Sequence, residues 1–180
     1  MPPPARGSSL EPWEVRKMRT ETREPVVRPF EMGRGADALT RMGNVFIRPL
    51  LRSRAGRGMH EIALLSFSGR RSGRRYDVPV AYHELDGNAI VLTRSRWRVN
   101  FRGGADVEVT QEGRRRPMRA ELIEDPDEVA DVYAALLERS GIEKPTKIGL
   151  RISGDRIPSH EEIRSAVVAG RRTIVRLRPR

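Results

Sequence analysis

The sequence contains no cysteine. Disulfide frameworks, thiolate metal sites and cysteine nucleophiles are therefore excluded. Histidine is scarce: His60, His83 and His160 stand far apart, without the spacing that sets two imidazoles on one helix face, so no metal site is expected. Aromatic residues are only 5% of the 180. There is no Gly-x-Ser-x-Gly elbow and no P-loop. No apolar run approaches the roughly 18 residues that a spanning helix needs. The opening stretch MPPPARGSSLEP has no apolar core of the secretory kind. A cytoplasmic protein is the expectation.

Lysine is nearly missing as well, since 32 of the 35 basic residues are arginine. Arginine binds phosphate through a planar fork, which lysine cannot do. The net charge is +11, and its placement matters more than its size. Residues 1–60 hold 12 basic against 6 acidic residues, 61–120 hold 12 against 7, and 121–180 hold 11 against 11. The excess lies in the first two thirds. Nucleic acid, lipid headgroups or a phosphate-bearing cofactor are the partners that such a balance favours.

Residues 1–36 keep neither a helical nor a strand period and read as a flexible basic arm. Gly33, Gly35 and Ala38 nominally match a dinucleotide fingerprint, but that fingerprint needs a strand before it, and the preceding VVRPFEM is broken by Pro29. Residues 37–54 read as an amphipathic helix capped by Asp37, with Pro49 ending or kinking it. It is read as packed on its own domain; peripheral contact with an anionic membrane is the alternative.

Short strands dominate residues 61–124. Ile62 to Phe67 is an apolar run, and Tyr76 to Leu85 is a second strand with Val78, Val80 and Tyr82 on one face. Asp86-Gly87-Asn88 and Glu112-Gly113 are turns. Ala89–Thr93, Ala105–Thr110 and Arg114–Ile123 are further strands, with a helical turn in 94–102. Tight turns between short strands imply an antiparallel meander or barrel. Residues 125–140 are a helix capped by Asp125 with Pro126 at its first position. Ser159 with Glu162 is a capping box opening a short helix, and Thr173 to Leu177 alternates like a last strand. The acidic pairs Asp125/Asp127 and Glu161/Glu162 read as helix N-terminal charges.

Two stretches carry candidate chemistry. Ser68-Gly69-Arg70-Arg71-Ser72-Gly73-Arg74-Arg75 lies between two strands. Its glycines let the backbone turn close to a ligand, and its N–H groups suit an anion nest. A solvated hairpin loop is the plainer reading. The second stretch, Thr93 to Gly104, sets Trp97 and Phe101 among arginines. An aromatic there could stack on a ring or base, or cap the barrel core.

The string LLSFSGRRSGRRYDVPVAYHELDGNAIVL resembles the deazaflavin-dependent nitroreductase family of actinobacteria. The matching features are Gly69-Arg70-Arg71-Ser72-Gly73 after a strand, Pro79 on the next strand, the Asp86-Gly87 turn, and Trp97 to Arg102. The likeness covers 61–124 well and 37–60 loosely. It implies a split β-barrel of the flavin-reductase and pyridoxamine-oxidase kind, mainly β with flanking helices, occupying 37–140 and followed by a C-terminal extension, 141–180, packed on the barrel. It implies an oxidoreductase, nitroreductase-like or quinone-reductase-like, that passes hydride from a reduced deazaflavin coenzyme (F420 type) to a flat small-molecule acceptor. By the same resemblance Gly69, Arg70, Arg71, Ser72 and Gly73 contact the cofactor phosphate, with Arg74 and Arg75 beside them. Val78, Pro79 and Val80 line the ring, and Leu92, Thr93, Arg94, Trp97, Arg98 and Asn100 border it. No catalytic acid or base is singled out. The chain departs from the family in two places. Tyr76 stands where an arginine is common, and only Arg94 to Arg96 separate the third strand from the Trp element. A homodimer is the expectation for such a fold. The alternatives are a split barrel holding flavin mononucleotide (FMN) or haem, and a non-catalytic basic barrel that binds nucleic acid.

Overall fold

A computed structural model of the chain describes residues 27–29, 49, 51, 53, 58–141, 148–153 and 156–180. Most of the expected arm (1–36) and of the expected helix (37–54) lies outside the described residues. Of that helix, Pro49 and Leu51 are helical and Leu51 is fully buried. Within the arm, Val27–Pro29 form a short strand, β1.

The remaining strands are β2 (Ile62–Ser68), β3 (Arg75–Ala81), β4 (His83–Leu85), β5 (Asn88–Thr93), β6 (Ala105–Gln111), β7 (Arg114–Ile123), β8 (Leu150–Ile152) and β9 (Thr173–Pro179). A 3-10 helix spans Arg96–Phe101, and the α-helices are α1 (Pro126–Ser140) and α2 (His160–Ala169). Seven strands form one antiparallel sheet in the order β3-β2-β6-β7-β9-β5-β4, while β1 pairs with β8. The fold is mainly antiparallel β with flanking helices.

The turns follow from their residues. Asp86-Gly87 joins β4 to β5 and Glu112-Gly113 joins β6 to β7, with positive φ at both members of each pair (50° and 73°, 52° and 75°). That geometry matches the twist of the flanking strands, and glycine adopts it at little cost.

The strand expected over Tyr76–Leu85 is divided at Tyr82. Its first part pairs with β2 and its second with β5, at opposite ends of the sheet order. The chain must therefore bend where it changes partner. Tyr82 makes the bend, its N–H donating to the Glu61 carbonyl at 2.8 Å. Both edges of the sheet are joined through this one residue, so the sheet curls on itself.

Side chains alternate across the curled sheet. Leu65, Phe67, Val80, Val91, Val109, Ala120, Val175 and Leu177 fill the inside. Ile90, Ile123 and Ile174 point outward and pack under α1 and α2 with Tyr133, Leu137, Leu150 and Ile163. The C-terminal segment is accordingly more than an extension laid on a finished barrel. β9 sits between β7 and β5 and supplies both faces of the core. Sequence patterning located β9 as a strand but missed β1 and β8, whose three residues are too short to show a period.

Both helix caps form as expected. Asp125 accepts from the N–H groups of Asp127 and Glu128 (3.1 and 2.9 Å). Ser159 and Glu162 form the reciprocal box, and Arg156 holds the Glu162 carboxylate through two bonds of 2.8 and 2.6 Å.

Two outcomes are expected. Leu177→Ala opens a cavity in the fully buried barrel interior and should cost about 2–5 kcal/mol in a urea denaturation series. The Glu162 carboxyl is held down to about 2, first by the Arg156 guanidinium and then by the Ser159 N–H. Its folded value lies below its ordinary value of 4.5, so its contribution is full above that value and fades as pH falls toward 2. The stability difference between wild type and Glu162→Gln should therefore shrink as pH falls from about 5 to about 2.

Candidate functional site

One end of the barrel is closed by aromatic rings. Phe67 at the end of β2 meets Phe101 edge-on at 4.9 Å between centroids, Trp97 at 6.1 Å and Tyr76 in a stack at 5.6 Å. Phe101 is fully buried. The 3-10 helix that carries Trp97 and Phe101 thus stoppers the barrel. Trp97 is engaged with Phe67 and Phe101 and does not stand free as a stacking platform.

Residues 69–74 cross beside this stopper. The loop is tied to the helix by Asn100, whose Oδ1 accepts from the Arg70 N–H at 2.9 Å while its Nδ2 donates to the Trp97 carbonyl at 2.7 Å. Arg70 adds a second tie, its Nη1 donating to the Arg102 carbonyl at 3.0 Å. Within the loop the Gly69 N–H donates to the Arg74 carbonyl and the Gly73 N–H to the Gly69 carbonyl, both at 2.8 Å. The Arg74 N–H reaches Ser72 Oγ at 3.3 Å. The expected nest of backbone donors is therefore mostly consumed by the protein, leaving the N–H groups of Arg71 and Ser72.

Loop and helix enclose a cleft of about 650 Å³ lined by Gly69, Arg70, Arg71, Ser72, Tyr76, Val99, Asn100 and Arg102. That volume lies in the range of cofactor sites. Three guanidinium groups line it and no carboxylate does. Arg102 is held from behind by Glu124 through bonds of 2.7 and 2.8 Å. The pair raises the Arg102 pKa and lowers that of Glu124, chiefly through the hydrogen bond between them. Arg71 has no partner among the described residues. Tyr76 and Val99 supply apolar surface and are 38% and 42% exposed. Gly69 is needed for a steric reason, since a Cβ there would lie 2.7 Å from Tyr76 Cε2 and 2.8 Å from Ser72 Oγ.

Of the residues proposed from sequence, Gly69, Arg70, Arg71, Ser72 and Asn100 come together in this cleft. Gly73 and Arg74 lie on the returning limb of the loop, outside the lining, and Arg75 pairs with Glu108 at 3.4 Å. Val78 and Val80 point into the barrel core, and Pro79 faces the other side of β3. Leu92 packs toward the helices because it alternates with Val91. Thr93 is buried, its carbonyl accepting from Thr173 Oγ1 at 2.8 Å. Arg98 turns back on its own helix, donating to the carbonyls of Arg94 (2.8 Å) and Ser95 (3.2 Å). Tyr76, Val99 and Arg102 were not proposed. The register Phe67↔Tyr76 places Tyr76 at the barrel mouth, and that pairing is invisible until the hairpin is aligned.

A second, smaller cleft of about 340 Å³ lies at the opposite barrel end, lined by His60, Tyr82, Glu84, Gln111, Glu112 and Arg116. It holds two carboxylates against one arginine, and His60 pairs with Glu112. Burial and then Glu84 push the Tyr82 hydroxyl up, with Arg116 acting against them. The charge balance there is the reverse of that in the first cleft. No helix among the described residues is long and apolar enough to cross a membrane.

No family model matches the chain, and no curated protein matches it. Solved structures with a similar course of the chain include an F420-H2 dependent reductase (FDR-A), 18% identical over 65% of this chain and 93% of that one, with a TM-score of 0.39. A conserved hypothetical protein from Mycobacterium tuberculosis, Rv2991, is 17% identical over 84% of this chain and 83% of that one, with a TM-score of 0.42. The haem storage protein HutZ from Vibrio cholerae is 17% identical over 71% of this chain and 87% of that one, at 0.41. Likeness at this level carries nothing about chemistry.

Asn100→Ala removes the bond from the Arg70 N–H to the Asn100 side chain and leaves the Arg70 guanidinium on the Arg102 carbonyl; it should cost about 1 kcal/mol, with faster hydrogen exchange at the Arg70 amide as its signature. Gly69→Ala should displace the Tyr76 ring and raise its exposure, read as a shift of the Tyr76 ring resonances.

Proposed function

We propose that this chain is an oxidoreductase that holds a flat, anionic redox cofactor in the cleft between the 69–74 loop and the 3-10 helix, a deazaflavin coenzyme being the leading candidate. The observation that carries the reading is the lining itself, which sets three guanidinium groups and no carboxylate beside the exposed ring of Tyr76. Anionic and aromatic parts of one ligand both find a counterpart there.

Arg70 and Arg71 would hold the phosphate through charge-assisted bonds, helped by the Ser72 hydroxyl. Asn100 fixes the loop before the ligand arrives, so less ordering is needed on binding. Tyr76 and Val99 would support the ring and exclude water from one of its faces. When bound, a reduced deazaflavin supplies a hydride to a flat oxidised acceptor, with proximity and orientation accounting for most of the rate. The Ser72 and Tyr76 hydroxyls are the neutral proton donors that the lining offers.

Flavin mononucleotide satisfies the same two requirements and is the second reading. Haem is less well served, because Tyr76 is the one lining side chain of a type that serves as axial ligand. Nucleic acid loses the stacking platform that its reading required, Trp97 being engaged with Phe67 and Phe101.

Titration with oxidised and reduced deazaflavin tests the proposal. Wild type should quench the cofactor's fluorescence and retain it through gel filtration. Arg70→Ala with Arg71→Ala should weaken binding by about tenfold or more, the loss of one or two charged hydrogen bonds. Absence of binding to wild type, or equal binding by the double variant, would sink the assignment.

A further inference from the structure

The arginines of the cleft are not equivalent. Arg70 and Arg71 present their charge to the cleft with no carboxylate bound to either, Arg70 donating only to the neutral Arg102 carbonyl. Arg102 is engaged from the far side: its Nε and Nη2 grip the two oxygens of Glu124 at 2.7 and 2.8 Å. Only Nη1 is left to face a ligand, on a group whose charge is already matched. Arg98 also lies within electrostatic reach of Glu124, but its Nη1 is bound to the carbonyls of Arg94 and Ser95 just ahead of the helix and it does not line the cleft. The uncompensated charge that an incoming anion meets is therefore that of two guanidinium groups, although three line the space.

We infer that Glu124 is a specificity-determining residue, setting the cleft to accept ligands with one phosphate group and to give no advantage to those with two. A single phosphate matches Arg70 and Arg71. A second, adjacent phosphate must approach Arg102 while Glu124 stands behind it, so the attraction it gains is offset by repulsion from the carboxylate. The inference rests on the reading of this cleft as the anion site and narrows its ligand class, from phosphorylated ring compounds in general to monophosphates rather than pyrophosphate-bridged dinucleotides.

Inorganic phosphate and pyrophosphate separate this idea from the identity of the ring. Each is titrated into the full chain while the backbone amides of Arg70, Arg71 and Asn100 are followed by NMR. Wild type should bind the two anions within about threefold of each other. Glu124→Gln keeps one oxygen that can accept from Arg102 and removes the charge together with the second of the two hydrogen bonds. It should strengthen pyrophosphate relative to phosphate by about threefold to tenfold, the order of a single exposed charge-assisted contact. Adding Arg102→Gln should abolish that gain, because Glu124 acts through Arg102. A wild type that already prefers pyrophosphate by tenfold, or a Glu124→Gln protein with an unchanged ratio, overturns the inference. If the predicted ratios appear but deazaflavin and flavin mononucleotide do not bind, the redox reading fails and the charge selectivity stands. If neither anion perturbs these amides in either protein, both fail.

Discussion

The structure depends on one strand being inserted late. β9 is hydrogen-bonded to β7 on one side and β5 on the other, so without it the sheet falls into a four-stranded piece and a two-stranded piece. Its alternation serves both cores at once. Val175 and Leu177 fill the barrel, while Ile174 seats the helices on the outside. Thr173 anchors its start to the end of β5, where the chain leaves for the 3-10 helix. The barrel mouth therefore takes its shape from β9, which begins at Thr173, 99 positions beyond the end of the rim loop at Arg74.

Local rigidity at the mouth comes from a short chain of contacts. Phe67 stacks on Tyr76 and meets Phe101 and Trp97, which fixes the 3-10 helix against the barrel. Asn100 then transmits that position to Arg70 through its two amide bonds. The loop spends most of its backbone donors on itself. The N–H groups of Arg71 and Ser72 and the guanidinium groups of Arg70 and Arg71 are what the loop presents to the cleft.

The basic surplus is distributed with the same economy. On the outer face of the sheet arginines meet carboxylates across strands: Arg119 with Asp106, Arg115 and Arg75 with Glu108. Arg176 reaches Glu128 on α1. These pairs are exposed and contribute little to stability. They offset part of the basic surplus on that face, whereas no carboxylate lines the cleft at the barrel mouth.

Most of the longer elements and the composition of the loop were legible in the amino-acid order alone, whereas β1, β8 and the division at Tyr82 were not. Apolar runs and period-two alternation placed all six strands expected, one of which the structure divides in two, Asp-Gly and Glu-Gly marked the hairpins, and Asp125, Pro126 and the Ser159/Glu162 box marked the helix starts, because each of these signals is local. Gly69 to Ser72 stood out for the same reason, with their charges and glycines adjacent in the chain. Tertiary structure decided the rest. The break at Tyr82 exists because a strand changes partner, the seating of Tyr76, Val99 and Arg102 around the loop depends on hairpin register and on where the 3-10 helix lands, and the neutralising hold of Glu124 on Arg102 joins residues 22 positions apart. Such juxtapositions are set by sheet closure, a property of the whole chain that no window of neighbouring residues contains.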